Sequence, residues 1–310
     1  MNAIKVLVTN QKGGVGKSTI SANLAAYLAI QNNVQVNLID FDRQLSSSKW
    51  VSKAPDIGLQ VHQAHLSYED TGSLVLAEAK RCLHKFSVGC EISISDLTWT
   101  YAMSPEFLLE YDVILVPSAT TKFEMASSEI FILQYIQKYL NQIKNVGQEI
   151  LVVPSRVDKK FQPEQTFLNL QGIDQCSVAP PIFLIPAIDD FVYEDFLCVS
   201  TNAEVAKNFS TFGEYVARLI AEKIMTKKAF NESHHAIKRA SNISVLDKHR
   251  IEQKRERDRS ANPFSGWVPD FLAGTTGDQR LLLIYIFVFM DNKNKEGFMH
   301  GTCCTSANGR

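Results

Sequence analysis

Apolar runs and helix-spaced segments take turns along the first 225 residues. The runs IKVLVTN (4–10), VQVNLID (34–40) and GLQVHQA (58–64) read as strands, as do EISISDL (91–97), DVILVPS (112–118), EILVVPS (149–155) and PIFLIPA (181–187). Between them, KSTISANLAAYLAIQ (17–31) carries Ile20, Leu24, Tyr27 and Leu28 at helical spacing. Residues 74–86 read as a crossover helix, 124–143 as a long helix, and 202–224 as a closing one. Strands this apolar, alternating with helices, predict an α/β fold: a mostly parallel twisted sheet flanked by helices on both faces. Ligands of such sheets bind at the carboxyl ends of the strands.

Past residue 225 the pattern changes. Residues 226–262 are charged and poor in apolar side chains, and are expected to form a basic helix or arm. Residues 263–310 begin turn-rich and hold the ten-residue apolar run LLLIYIFVFM (281–290), half the length needed to span a bilayer as a helix. Three segments are therefore expected: 1–225, 226–262 and 263–310. No membrane attachment and no secretory leader are expected, which points to the cytoplasm.

Composition adds little, but the distribution of charge adds more. The 310 residues carry a formal charge of −1, yet 227–259 hold a net +5 while 1–226 hold −6. An acidic body with a basic appendage makes any polyanion contact local. The six cysteines form no CxxC pair, and His62 with His65 lacks the glutamate of a zinc-protease motif, so neither set reads as a metal site.

The chemistry concentrates in NQKGGVGKST, residues 10–19. A phosphate loop of the form G-x-x-x-x-G-K-[ST] wraps phosphates in backbone N–H groups, brings a lysine to the β/γ oxygens and gives a hydroxyl to Mg²⁺. Gly16, Lys17 and Ser18 supply its end, after a strand and at a helix start. The opening glycine would be residue 11, which is Gln11, and Lys12-Gly13-Gly14 follow instead. Residues Gly13 through Thr19, including Val15, are thus the candidate nucleotide contacts.

The string KGGVGKS resembles the deviant phosphate loop of the ParA/MinD family of ATPases. That resemblance implies ATP and Mg²⁺ as cofactors, a dimer that closes over two nucleotides, and a lysine at Lys12 that reaches the partner's nucleotide. VNLIDFDRQLSSSKW (36–50) resembles the family's switch segment, usually D-x-D-P-Q. It implies that Asp42 orients the attacking water and Asp40 supports the metal, with Arg43 where proline is usual. EISISDLTW (91–99) falls where the family's metal-binding strand ends in D-T-P-P, so Asp96 joins Ser18 and Asp40 as a metal residue; Leu97-Thr98-Trp99 stand in for Thr-Pro-Pro. Asp112 begins its strand instead of ending it, so Asp96 is preferred. Ser155 and Arg156 occupy the neighbourhood of an asparagine often found near the base.

ParA-type members bind DNA non-specifically in the ATP-dimer state through basic residues late in the chain. The resemblance implies Arg218 and Lys223 for this role, and the basic stretch adds Lys238 and Arg239. Partition of DNA, with nucleoid association and a ParB-like partner that stimulates slow hydrolysis, is the expected function. A MinD-like membrane-cycling ATPase, a non-hydrolysing scaffold and an iron–sulfur carrier on the same fold are the alternatives. The resemblance is to the short form of the family, with no operator-binding module expected ahead of Ile4.

Overall fold

A computed structural model describes residues 3–67, 72–137, 147–160 and 176–261. The described residues form eight strands: β1 (Ile4–Asn10), β2 (Val36–Asp40), β3 (Gln60–Gln63), β4 (Ile92–Thr98), β5 (Val113–Ser118), β6 (Glu149–Val157), β7 (Ser177–Val178) and β8 (Ile182–Phe183). They line up as β3-β2-β4-β1-β5-β6-β7, with β8 also beside β6, and every described pairing is parallel. The helices are α1 (Lys17–Asn32), α2 (Ser46–Lys53), α3 (Gly72–Phe86), α4 (Lys122–Phe131) and α5 (Ala203–Ala261).

Strand alternation builds two cores. Ile4, Val6 and Val8 of β1, Leu38 of β2, Val113 and Leu115 of β5 pack on one face with α1 and the start of α5. Leu7, Ile39, Ile114 and Val116 turn to the other face, among Val75, Leu83 and Phe131 of α3 and α4. The central strands are buried on both sides, which is why β1 and β5 read as apolar runs; β4 is as buried but alternates Ile92 and Ile94 with Ser93 and Ser95. Helix α5 meets α1 closely at Gly213, where a Cβ would stand 2.6–2.8 Å from the Tyr27 ring.

Several expectations need correcting. The run 181–187 yields a strand of two residues, β8, because Pro186 opens a 3₁₀ turn at Pro186–Phe191 and proline cannot extend a ladder. The helix expected over 124–143 starts at Lys122, where the Thr121 hydroxyl accepts from the Glu124 N–H and donates to its carboxylate, and becomes a π-helix at Ile132–Gln137; residues 138–143 lie outside the described residues. The closing helix does not stop at 224. It runs to Ala261, since no proline or glycine occurs between residue 214 and Pro263. Four short elements were not expected at all: α2, β7, and 3₁₀ helices at Pro105–Glu110 and Leu197–Val199. The chain divides into compact units Met1–Ser233 and His234–Arg310. The expected extension 263–310, its apolar run and Cys303-Cys304 lie outside the described residues.

Candidate nucleotide site

The carboxyl ends of β1, β2 and β4 sit side by side, with Asp40 paired to Asp96 and Val8 paired to Asp96 in register. The loop after β1 turns into α1 through Gly14 (φ 75°) and Gly16 (φ 89°), a left-handed geometry that glycine adopts freely. A Cβ on Gly16 would also lie 2.7 Å from Ser155 Oγ of β6. Helix α1 begins without a side-chain cap and without an acidic residue in its first turn. Its terminal N–H groups and positive dipole end are therefore left for an anion.

Lys12 is exposed, and among the described residues its ammonium makes no ion pair. Its main chain is nonetheless fixed at both ends: its N–H donates to Asn10 Oδ1 at 3.0 Å, and its carbonyl accepts from Lys17 Nζ at 3.0 Å. Asn10 is buried, and its amide donates to the Pro117 carbonyl and Ser128 Oγ, so β5 and α4 hold the start of the loop. Arg156, left-handed at φ 55°, donates from Nη1 to the Gly14 carbonyl at 3.0 Å. Lys17 is buried, and burial lowers its pKa, opposed by the charges of Asp96 and Asp42.

Asp40 is fully buried and fully used. Its Oδ1 accepts from the Asp42 N–H, and its Oδ2 accepts from the N–H and hydroxyl of Ser48. It serves as the anchor of the switch loop and of α2. Asp96 is its opposite: fully buried, with neither carboxylate oxygen hydrogen-bonded among the described residues. Burial first, and the charge of Asp40 second, push its pKa to about 7; the Ser18 and Ser47 hydroxyls and the Lys17 ammonium hold it down without meeting hydrogen-bond geometry on it. Asp42 accepts from the Gln44 N–H on Oδ1 and from the Thr98 hydroxyl on Oδ2.

An orphaned buried carboxylate beside a phosphate loop and a serine hydroxyl fits a hard divalent cation. Among the described residues no cluster of three or more His, Cys, Asp or Glu side chains could cage a metal. This suits Mg²⁺, which takes one or two carboxylates and completes its shell with phosphate and water. Gly13, Gly14, Gly16, Lys17, Ser18, Thr19 and Asp42 line one cavity of about 1020 Å³ together with the apolar Ile182, Leu184, Pro186 and Val192. Polar loop atoms and apolar side chains in one cavity suit a nucleotide's phosphates and its base. Val15 is buried beneath the loop.

The expected DNA residues lie elsewhere. Arg218 pairs with Glu214, while Lys223 contacts the Gly147 carbonyl and Glu149. Lys238 and Arg239 are on α5, but their side chains lie outside the described residues. Sequence reasoning missed Asn10, Ser48 and the role of Thr98. None carries a motif signal, since their partners are distant in sequence or are backbone atoms.

The family model described as the CobQ/CobB/MinD/ParA nucleotide binding domain matches residues 6–260. A curated relative, the cytosolic Fe-S cluster assembly factor NUBP1 homolog of Brugia malayi, is 53% identical over 38 residues, and the match spans 12% of each chain. Among solved structures, a plasmid partition protein from Borrelia burgdorferi bound to AMPPNP is similar at TM-score 0.52 and 18% identity, covering 70% of this chain and 99% of that one. The septum site-determining protein MinD from Pyrococcus horikoshii, complexed with Mg-ADP, is similar at TM-score 0.53 and 14% identity, covering 71% and 98%. At such identities the likeness establishes a shared fold. No helix among the described residues is long and apolar enough to cross a membrane.

Proposed function

The chain belongs to the CobQ/CobB/MinD/ParA nucleotide-binding family, whose ParA/MinD members are ATPases, and on that premise we propose that it is a ParA-type ATPase switching between monomer and ATP-bound dimer. The observation that carries this is Lys12. Its backbone is pinned by Asn10 and Lys17, while its ammonium is exposed and unpaired among the described residues. A cation held out by a rigid loop is suited to a phosphate outside its own subunit.

Bound MgATP supplies the γ-phosphoryl group and the metal's positive charge. The chain supplies the rest: the α1 N-terminus and Lys17 bind phosphate oxygens, and Ser18 and Asp96 would hold the metal, with Asp40 in support through the loop it anchors. Asp42 orients water. Lys12 of one copy offsets charge on the nucleotide of the other. The Borrelia plasmid partition protein and its AMPPNP support the partition reading. DNA contact is assigned chiefly to the +5 stretch 227–259, with Lys238 and Arg239; at Arg218 and Lys223 phosphate has to displace Glu214 and Glu149. A ParB-like partner accelerates turnover.

The test is ATP turnover together with co-sedimentation on non-specific DNA and on anionic vesicles, each with ATP and with ADP. ATP-dependent pelleting with DNA and not with vesicles is expected. The likeness to MinD favours a membrane-cycling reading, and pelleting with vesicles alone would establish it.

A further inference from the structure

Thr98 closes β4, and its hydroxyl donates to Asp42 Oδ2 at 2.5 Å, across 56 positions of sequence. The donor stands on rigid ground: Thr98 pairs in register with Asn10 of β1, and the next N–H, of Trp99, donates to the Asn10 carbonyl. The acceptor stands on a loop. Apart from Thr98, the Asp42 carboxylate is held by the Gln44 N–H of its own turn, and Leu45 adopts a left-handed backbone at φ 53°. Arg43 lies between them, without the fixed backbone angle of a proline. Thr98 and Asp42 both line the nucleotide cavity.

We propose that Thr98 is the positioning residue for Asp42: its hydroxyl tethers the water-orienting carboxylate to the end of β4, adding a hold on the side chain to the hold that Asp40 gives the main chain of the loop. An ionised carboxylate offers about four lone-pair sites. Thr98 and Gln44 occupy one on each oxygen, which fixes the plane of the group and leaves sites on both oxygens for a water. The inference rests on the reading that Asp42 orients the attacking water.

The experiment compares Thr98→Val, which keeps the shape and removes the hydroxyl, with Thr98→Ser, which keeps the hydroxyl. Steady-state turnover and hydrogen exchange of the 41–48 backbone are measured on the full chain. Thr98→Val lowers kcat at least about tenfold with KM for ATP within about twofold, because orientation is lost and binding is not. It also speeds exchange of 41–48, and Thr98→Ser restores both. In an Asp42→Ala background Thr98→Val has no further effect on kcat, since Thr98 acts only through Asp42. Parental kcat and exchange in Thr98→Val overturn the tether, as does equal loss in Thr98→Ser. If the parent itself does not turn over ATP, the ATPase reading fails, and the exchange comparison alone then decides whether the tether exists.

Discussion

Two carboxylates on neighbouring strand ends, Asp40 and Asp96, are both fully buried but do different work. Asp40 is saturated by Ser48 and the Asp42 N–H, whereas Asp96 has no hydrogen-bond partner among the described residues and a pKa near 7. In the unfolded chain Asp96 ionises near 3.8, so between about pH 4 and 7 the folded state keeps a proton that the unfolded state has lost. Stability of the nucleotide-free protein therefore falls as pH rises through that window and levels off above it. Asp96→Asn cannot ionise. It should raise the thermal midpoint at about pH 8, by a few kcal/mol of stability, and change it little at about pH 4. With MgATP present the order reverses, because the cation stabilises the ionised parent and not the variant. For Lys17, proposed to bind phosphate, Lys17→Ala is expected to weaken ATP binding by about a hundredfold or more, read by titration calorimetry. Asp42→Ala should instead keep ATP affinity within a few fold and lower kcat by about a hundredfold, trapping the ATP-bound form.

At the level of elements, the fold rests on a central pair, β1 and α1, packed from outside by α5. Gly213 is the contact that lets α5 approach. Its substitution by alanine meets the Tyr27 ring at 2.6–2.8 Å and should cost about 1–3 kcal/mol in chemical denaturation. The central strands β1 and β5 could be read from sequence because burial on both faces makes them mostly apolar. Helix α2 could not, since Ser46, Ser47 and Ser48 give no apolar stripe and the helix is fastened by Asp40 on Ser48. The run 181–187 misled for the opposite reason: it is apolar enough for a strand, but its proline ends the ladder. The phosphate loop was legible because its chemistry is contiguous in sequence. The contacts that hold it were not, because Asn10 with Ser128 and Arg156 with Gly14 are separated by 118 and 142 residues. The carboxylate roles fell between these cases. Asp40 and Asp42 were located by motif, while the difference between an anchored Asp40 and an orphaned Asp96 emerged only from packing.

At the scale of the whole molecule, the proposed nucleotide-controlled assembly would contact DNA through its basic stretch. Affinity for non-specific DNA in the ATP state should fall steeply with salt, and each phosphate-contacting cation removed from 227–259 should lower the slope of log K against log salt by about one. The central claim concerns Lys12, and the most direct test is light scattering on a sizing column with no nucleotide, with ADP and with ATP. The parent is expected to elute as a monomer in the first two conditions and as a dimer with ATP. Lys12→Ala is expected to bind ATP with affinity within about threefold of the parent yet remain monomeric, since its ammonium serves the other subunit's phosphates. A parent that stays monomeric while saturated with ATP, or a Lys12→Ala variant that dimerises as readily as the parent, would contradict it.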